Sequence, residues 1–348
     1  MKGRVFAVGA AFGALPLEKA ALPNSIVLGT GAYAPQRIVT NADLEKLVAT
    51  NGEWIVSRTG IQERRIAAEG EATSDLAAAA ARNALELANV DPADVDMIVV
   101  ATVTGDTPTP ACAAYVQAHL GARNAFAFDV GAACAGSLYA LTIADQFIRS
   151  GMVRRALVIG AETLSRFVDW TNRETCVLFG DAAGAILLGA TDAPGHGLIA
   201  TTLRTDGTMT GILGIFGGGS RQPFSPEVLA ENSNKIRMRG REVYRVATRL
   251  LPEVVADTLA SAGLTPADVD HVIAHQANQR IIESALATLG VPLEKCWINI
   301  GRFGNTSSAS MPITLDEANR AGKLRRGDVI AMMAIGAGMT WGGAVLRW

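Results

Sequence analysis

The spacing of hydrophobic and polar residues predicts helices that alternate with short buried strands. Two alanine-rich stretches, 76–90 and 246–264, carry apolar residues at helical spacing. Each is followed by a turn and then by a short apolar run, at 97–100 and 271–274. Further strand-like and helical runs alternate along the chain, at 25–29, 126–130, 138–148, 183–188 and 281–289. This alternation predicts an α/β protein whose sheets are rich in parallel strands.

The chain also repeats itself. Pro-Ala-Asp-Val-Asp at 92–96 recurs at 266–270, an offset of 174 residues, and Gly-Met-Val-Arg-Arg at 151–155 is matched by Gly-Lys-Leu-Arg-Arg at 322–326, an offset of 171. Two ordered matches at nearly equal offsets predict a duplicated domain, because solenoid repeats have much shorter periods. We expect an N-terminal extension at 1–24, one half at 25–195 and a second at 196–348, with a functional site where the halves meet.

Composition and charge exclude several classes of protein. The 348 residues include 31 Lys and Arg against 33 Asp and Glu, a net charge of −2, which argues against nucleic acid or an anionic membrane as a partner. The four cysteines lie far apart without a C-x-x-C pair, so a zinc site or a disulfide framework is not expected. Isolated thiols suit a reducing cytoplasm. The sequence has no Rossmann or Walker motif either, and we expect no metal or redox cofactor.

Two uncharged stretches raise the question of a membrane. Residues 5–17 faintly resemble a signal peptide, but charged residues interrupt the pattern at Glu18 and Lys19. Residues 329–346 are long enough to span a bilayer, yet they contain four glycines and are better interpreted as a strand, a glycine turn and a second strand. We expect a soluble protein with no membrane partner.

Cys134 is the candidate nucleophile. It follows a predicted strand that ends near Val130, and a helix is predicted to begin near Ala135. The free N–H groups and the dipole of a helix start favour an anion and can lower the pKa of a thiol. The small neighbouring residues also leave room for an acyl group and an oxyanion. A small buried hydrophobic role is the alternative, and this context alone leaves the two about equal; Cys112, Cys176 and Cys296 lack such a turn.

Two polar residues of the second half are expected to face Cys134. The 171-residue offset leads from Cys134 to Asn305, which follows Gly304 and precedes a predicted helix, so the two residues are expected at equivalent helix starts. Asn305 could instead be an N-cap, and both roles hold only if its side chain points into the site. His275 follows the strand at 271–274, and strand ends line ligand crevices in α/β folds. Together they offer two hydrogen-bond donors to a carbonyl oxygen whose α-carbon becomes a carbanion.

These motifs resemble those of the 3-oxoacyl-ACP synthase III family of condensing enzymes. Cys134 lies in Asp-Val-Gly-Ala-Ala-Cys-Ala-Gly, His275 in His-Gln-Ala-Asn and Asn305 in Gly-Asn-Thr-Ser-Ser-Ala-Ser. Further matches lie at 40–44, 54–61, 179–181 and 340–342, so the resemblance runs from about residue 25 to the end of the chain. It implies the thiolase fold, an internally duplicated five-layered α-β-α-β-α architecture with two halves related by a pseudo-twofold axis.

The resemblance also implies a reaction and its residues. An acyl-CoA primer would acylate Cys134, and malonyl-ACP would then lose CO₂ and condense with the acyl group, with His275 and Asn305 stabilising the enolate. This reaction initiates type II fatty acid synthesis. The N–H groups of Cys134 and Ala337 would form the oxyanion hole for acyl transfer. The family usually has glycine where Ala337 stands, so this assignment requires a φ angle that alanine tolerates.

Binding residues follow from the same resemblance. It implies contacts to CoA and its pantetheine arm from Trp54, Arg58, Arg173, Asn278 and the backbone of Gly240. It implies an ACP-binding patch at Arg245, Arg249 and Arg280. Solvated helix-face arginines are the alternative for that patch, above all for Arg249. The neutral Ala287 and Thr288 imply weaker or rearranged docking of ACP.

One further position bears on the size of the primer. Thr109 matches the gate that the second subunit of a homodimer inserts into the acyl pocket. A threonine there implies primers longer than acetyl, because family members limited to short primers have phenylalanine.

Other functions remain open at this stage. A related condensing enzyme of secondary metabolism or of long-chain acyl condensation would keep the same three residues. A non-decarboxylative thiolase would need a second cysteine near the site, and a Cys–His hydrolase would not need the duplicated core. A catalytically silent subunit of a heterodimer is disfavoured because Cys134, His275 and Asn305 are all present.

Overall fold

The computed structural model describes residues 23–193 and 195–348, which form α/β layers. The strands are β1 (Asn24–Tyr33), β2 (Arg37–Thr40), β3 (Glu63–Ile66), β4 (Met97–Ala101), β5 (Phe126–Val130), β6 (Arg155–Thr163), β7 (Asp181–Thr191), β8 (Gly197–Thr205), β9 (Leu213–Ile215), β10 (Ile236–Met238), β11 (His271–Ala274), β12 (Val329–Gly336) and β13 (Thr340–Arg347). The helices are α1 (Asn41–Leu44), α2 (Gly52–Thr59), α3 (Thr73–Ala88), α4 (Cys112–Leu120), α5 (Gly136–Arg149), α6 (Arg173–Cys176), α7 (Pro226–Ala230), α8 (Gly240–Ser261), α9 (Gln279–Leu289), α10 (Ile300–Phe303) and α11 (Ser310–Arg320). The expected extension at 1–24 lies outside the described residues, except for its last two; Asn24 already belongs to β1.

The internal duplication is visible in two main sheets that have matching strand orders. The first has the order β1-β7-β6-β4-β5, and the second has the order β8-β13-β12-β11. In the first sheet Met97 pairs with Ala156, and in the second His271 pairs with Ile330, so both partners are displaced by the same 174 residues. The duplicated fold predicted from the sequence is therefore confirmed.

The prediction that the sheets are rich in parallel strands is wrong, because both sheets are mixed. In the first, β4 is parallel to β5 and β6, whereas β7 is antiparallel to β1 and β6. In the second, only β11 and β12 are parallel. The short turn at 337–339 joins β12 to β13, and a turn of this length permits only antiparallel pairing. This strand, turn and strand is the arrangement predicted for 329–346.

Among the described residues, the five layers enclose three large apolar clusters, and a fourth lies outside the layers around Leu44, Ile55 and Ile300. Helices α5 and α11 lie between the sheets, α3 and α4 cover the outer face of the first sheet, and α8 and α9 cover the outer face of the second. Alternate residues of a strand face different layers: Val99 packs in the central core, whereas Val100 packs beneath α3 and α4. In the described part of the chain, no helix is long and apolar enough to cross a membrane.

The outer helices begin before the apolar pattern that predicted them. The first turn of α3 is polar, and Asp75 accepts a hydrogen bond from the N–H of Ala72 at its start. Helix α8 likewise begins at Gly240, where its first turn faces the cavity described below. Polar first turns carry no apolar periodicity, so the pattern placed both starts too late.

The central helices show which residues of the two halves correspond. Short 3₁₀ turns, Ala133–Ala135 and Ser307–Ala309, lead directly into α5 and α11. The first residue of each turn has a left-handed φ, 46° at Ala133 and 49° at Ser307. The structural counterpart of Cys134 is therefore Ser308, at an offset of 174, and the expected equivalence with Asn305 is wrong. Helix α11 has 11 residues where α5 has 14, so the offset falls to 171 in the connecting segments 151–155 and 322–326 and returns to 174 in the strands β6 and β12 that follow.

Glycine permits close approach between the halves beside the two 3₁₀ turns. A Cβ atom on Gly160, within β6, would overlap the carbonyl oxygen of Ser308. A Cβ on Gly336, at the end of β12, would lie 2.5 Å from the backbone nitrogen of Cys134. Each half thus presses a strand against the 3₁₀ turn of the other half, and neither contact has room for a side chain.

We expect Gly160→Ala to lower the free energy of unfolding by about 1–3 kcal/mol, because the added methyl group displaces the Ser308 turn. Chemical denaturation measures this change. The control is Gly70→Ala, where an added Cβ meets no atom within 4 Å. Equal stability of the two variants would show that the Ser308 turn is not held against β6.

Candidate active site

A cavity of about 920 Å³ lies where the two halves meet. Cys134 of the first half and His275 and Asn305 of the second half all line it. The structure therefore brings together the three residues that the sequence singled out. All three are buried, with relative exposures of 8%, 5% and 7%.

The environment of Cys134 keeps its side chain in the thiol form. Burial, the dominant effect, raises the pKa of this thiol to about 12; a hydrogen bond from Ser307 acts in the opposite direction, and Glu162, when ionised, raises the pKa further. The expected low pKa is therefore wrong. The cost of desolvating a thiolate at this buried position outweighs the favourable field of the helix start.

His275 directs one ring nitrogen towards a serine and leaves the other without a partner. Its Nδ1 lies 2.6 Å from the hydroxyl oxygen of Ser310. Its Nε2 is buried and forms no hydrogen bond with any described residue. Burial lowers the pKa of this imidazole to about 3, so the ring is neutral near pH 7. Nε2 can accept a proton in one tautomer and donate a hydrogen bond in the other.

Asn305 combines the two roles that the sequence left open. Its Oδ1 accepts a hydrogen bond of 2.9 Å from the N–H of Ser307, which caps the turn before α11. Its backbone is held on both sides, because its N–H donates to Leu178 and its carbonyl accepts from Gly180. The side chain still lines the cavity. Within the described chain, Nδ2 forms no hydrogen bond and can serve a ligand.

The turn at 337–339 lies against the loop that leads to Cys134. The hydroxyl oxygen of Thr340 lies 2.9 Å from the carbonyl oxygen of Ala132 and 3.1 Å from that of Ala337. The φ angle of Ala337 is not positive, so alanine is compatible with the backbone there. Ala337 itself does not line the cavity, although its neighbours Ile335 and Met339 do. Its part in an oxyanion hole stays a prediction.

The outer end of the cavity gathers most of the expected CoA contacts. Trp54, Arg58, Gly240 and Asn278 line it, together with Arg280 from the expected ACP patch. Arg173 stacks on the Trp54 ring, with its guanidinium carbon 3.9 Å from the ring centre. Because the two side chains touch, an adenine could enter between them only after Arg173 moved.

Asn278 fixes the wall of the cavity from within. Its Oδ1 accepts from the N–H of Arg280 at 2.9 Å and caps α9, while its Nδ2 donates to the carbonyl of Arg58 at 3.0 Å. The side-chain amide thereby joins the start of α9 to the end of α2.

Five expected residues are not among those that line the cavity: Ala337, Arg173, Arg245, Arg249 and Thr109. Arg245 and Arg249 are exposed on α8 and form no ion pair with a described residue, and Thr109 is exposed in the loop 102–111. The sequence reasoning in turn missed several residues. Those that line the cavity are Arg239, Arg241, Tyr244 and Glu174, and those beside the catalytic side chains are Ser307, Ser310 and Glu162. The alternating arginines at 237, 239 and 241, around the start of α8, were a signal for two of them.

The sequence analysis also predicts that the protein binds no metal ion. In the described ranges, no group of three or more His, Cys, Asp or Glu residues could hold a metal ion. The absence of a cofactor stays a prediction.

Comparisons with known proteins agree with this geometry. The family model of 3-oxoacyl-[acyl-carrier-protein (ACP)] synthase III matches residues 128–207, and the model of its C-terminal region matches residues 259–348. A beta-ketoacyl-[acyl-carrier-protein] synthase III of Caldanaerobacter subterraneus subsp. tengcongensis is 50% identical, over 92% of this chain and 97% of that protein. One of Rhodospirillum centenum is 49% identical, over 93% and 99%.

Solved structures show the same relationship. The 3-oxoacyl-[acyl-carrier-protein] synthase III of Aquifex aeolicus VF5 is 46% identical, with a TM-score of 0.87 over 93% of this chain and 100% of that one. The priming β-ketosynthase of the R1128 polyketide biosynthetic pathway is 38% identical, with a TM-score of 0.88 over 93% and 96%. The chain therefore belongs to the 3-oxoacyl-ACP synthase III family of thiolase-fold condensing enzymes.

Proposed function

We propose that this enzyme condenses an acyl-CoA primer with malonyl-ACP to give 3-oxoacyl-ACP, CO₂ and CoA, and so initiates type II fatty acid synthesis. The observation that carries the proposal is the meeting of Cys134, His275 and Asn305 in one buried cavity of a chain from this family. CoA thioesters and the phosphopantetheine arm of ACP are substrates here, and no cofactor is proposed. The expected site of action is the cytoplasm.

Acyl transfer comes first. Cys134 is a thiol in the empty cavity, so its proton must leave as Sγ attacks the thioester carbonyl. Nε2 of His275 is buried without a partner and accepts this proton. The C–S bond to CoA then breaks, and the same proton passes to the departing sulfur. The products are acyl-Cys134 and CoA, and His275 is neutral again.

Condensation follows in the same cavity. The malonyl carboxylate leaves as CO₂, and its electron pair forms an enolate on the remaining thioester. The enolate oxygen receives hydrogen bonds from His275 Nε2 and Asn305 Nδ2, two groups that have no other partner among the described residues. The enolate carbon then attacks the acyl-Cys134 carbonyl, the Cys134 sulfur leaves as a thiolate, and a proton from solvent restores the thiol. For the hydrogen bond to the enolate, His275 carries its proton on Nε2, and its Nδ1 then accepts from the Ser310 hydroxyl, which otherwise donates to the carbonyl of Ser307 at 3.0 Å.

Arginines outnumber the two acidic residues of the cavity lining, Glu174 and Glu242, although Glu242 lies 3.6 Å from Arg239. Arg58, Arg239, Arg241 and Arg280 line the cavity, and Arg245 and Arg249 extend the positive surface along α8. This charge supports binding of the CoA phosphates and docking of acidic ACP. The neutral Ala287 and Thr288 are exposed on α9 and limit the patch on that side.

A second candidate function is the priming of a secondary-metabolite pathway. The likeness to the R1128 priming β-ketosynthase favours it, because that protein covers almost the whole chain at 38% identity. Both candidates use the same three residues. The two functions differ in which acyl carrier protein delivers the malonyl group and carries the product.

A homodimer is part of the proposal. Strand β5 ends the first main sheet and pairs only with β4 among the described residues, so its other edge is open. Phe126 on this strand is 43% exposed and stacks on Phe128. An open strand edge with exposed aromatic rings suits pairing with a second copy. Thr109, which lies outside the cavity of its own chain, would then act in the acyl pocket of the partner.

The nucleophile is tested by covalent labelling. We expect radiolabelled acetyl-CoA to label the wild-type enzyme and not Cys134→Ala, and we expect the variant to lose at least about 10³-fold in turnover with malonyl-ACP. Cys296→Ala, which changes a thiol outside the cavity, is the control and should be labelled normally. Labelling without condensation would contradict the proposed acceptor, and labelled Cys134→Ala would contradict the nucleophile.

The pKa of Cys134 predicts how alkylation depends on pH. Because burial keeps the pKa near 12, the thiolate fraction at pH 7 is small. The rate of alkylation by iodoacetamide should therefore rise about tenfold per pH unit between pH 7 and 9. Mass spectrometry measures the rate at Cys134, with Cys134→Ala as the background. A rate that is already constant below pH 7 would instead show a thiolate of low pKa.

The gate is tested by the length of the primer. We expect Thr109→Phe to abolish activity with primers beyond about four carbons and to spare acetyl-CoA, because the ring fills the acyl pocket of the partner. Glu86→Phe, which places the same ring on the exposed face of α3, is the control. Sedimentation should give twice the mass of one chain. An unchanged primer range in a dimeric Thr109→Phe enzyme would exclude the gate.

A further inference from the structure

Glu162 is a buried carboxyl group that the proposed reaction does not use. It is the penultimate residue of β6, has no exposed surface and forms no ion pair with any described residue. Burial raises the pKa of this carboxyl above its usual value, although hydrogen bonds from Thr104, Val103 and nearby serines oppose the effect. A fully buried charge without a cation is unfavourable.

One oxygen of this carboxyl holds the start of the loop 102–111. Oε2 accepts hydrogen bonds from the Thr104 hydroxyl at 2.6 Å, the Val103 N–H at 3.1 Å and the Thr102 hydroxyl at 3.2 Å. Thr104 in turn accepts from the N–H of Thr163, the residue after Glu162, at 2.9 Å. This loop carries Thr109, and Glu162 therefore anchors it to the end of β6.

The other oxygen faces the turn that precedes α11. Oε1 lies 3.0 Å from the hydroxyl oxygen of Ser308, and the same hydroxyl oxygen lies 2.7 Å from the carbonyl oxygen of Ala101. Ser308 has one hydroxyl proton and cannot donate to both oxygens in full. If Glu162 were ionised, one of these two short contacts would join two oxygens with no proton between them. A proton on Oε1 satisfies both contacts, because Glu162 then donates to Ser308 and Ser308 donates to Ala101.

We propose that Glu162 is a neutral carboxylic acid at neutral pH, and that it positions the Ser308 turn relative to the loop 102–111. The turn begins two residues after Asn305 and contacts the turn of Cys134, so the acid fixes both sides of the catalytic cavity. Its neutrality also matters to the nucleophile. A negative Glu162 would disfavour the thiolate of Cys134, whereas a neutral acid supplies the same hydrogen bonds without that charge.

Infrared difference spectroscopy of the full-length enzyme tests the protonation state directly. We expect the carbonyl stretching band of a protonated carboxyl group at pH 8 in the wild type, shifted in D₂O and absent from Glu162→Gln. Glu86→Gln, at an exposed position on α3, should retain the band. The absence of such a band in the wild type, or its loss at the pH where ordinary carboxyl groups ionise, would overturn the proposal.

Alkylation of Cys134 gives a second readout that requires no turnover. In Glu162→Gln the amide donates to Ser308 and accepts from the loop as the neutral acid does, so we expect the pH profile of alkylation to stay in place. If Glu162 were ionised, removal of its charge would raise the alkylation rate at a given pH by up to about tenfold. That increase would overturn the proposal whether or not the enzyme condenses malonyl-ACP.

The positioning role is tested by comparison of two variants. Glu162→Met leaves the donors of the loop unpaired and removes the hydrogen bond that Ser308 accepts, and we expect a melting temperature several degrees below that of Glu162→Gln. We also expect at least a tenfold lower kcat with little change in KM for acyl-CoA. This last comparison rests on the proposed function, but the melting temperature and the spectrum do not. Equal melting temperatures and equal kcat in the two variants would exclude the positioning role.

Discussion

The rest of the active site depends on backbone contact between the two halves. Gly160 in β6 lies against the carbonyl of Ser308, and Gly336 in β12 lies against the backbone nitrogen of Cys134. These contacts hold the two 3₁₀ turns face to face, and the cavity opens beside them. Any side chain at either glycine would separate the turns. Glycine at these two positions is therefore a geometric requirement of the site.

Burial then determines the charge of the groups in the cavity. Cys134 and His275 both have pKa values moved by desolvation towards their neutral forms, and Glu162 is moved in the same sense. A neutral site favours the entry of a thioester and leaves charge to appear only during reaction. Donors that already point into the cavity can stabilise that charge without reorganising. Water molecules would first have to reorient, so the buried site lowers the barrier more than water does.

The sequence predicted the fold class, the duplication and the residues that meet in the cavity, because motifs and repeats are local features that survive without coordinates. It could not predict the pKa of Cys134, since a helix start is visible in sequence and the depth of burial is not. It also paired Cys134 with Asn305, because the length of α11 was unknown and three missing residues change the offset. Ser310 and Glu162 stayed unassigned because their roles arise from contacts between distant segments.

The 174-residue correspondence relates the two interfaces between the halves as well as the strands. It pairs Ser308 with Cys134 and Glu162 with Gly336, so the contact of Glu162 with Ser308 is the counterpart of the contact of Gly336 with Cys134. One copy of this contact contains a carboxyl group, whereas the other has no side chain and brings the backbone of β12 against the backbone nitrogen of Cys134. The two copies thus differ in role: the contact of Glu162 with Ser308 positions the backbone, whereas the contact of Gly336 lies at the proposed nucleophile. Equivalent positions of the halves should therefore tolerate different substitutions, even though their backbones match.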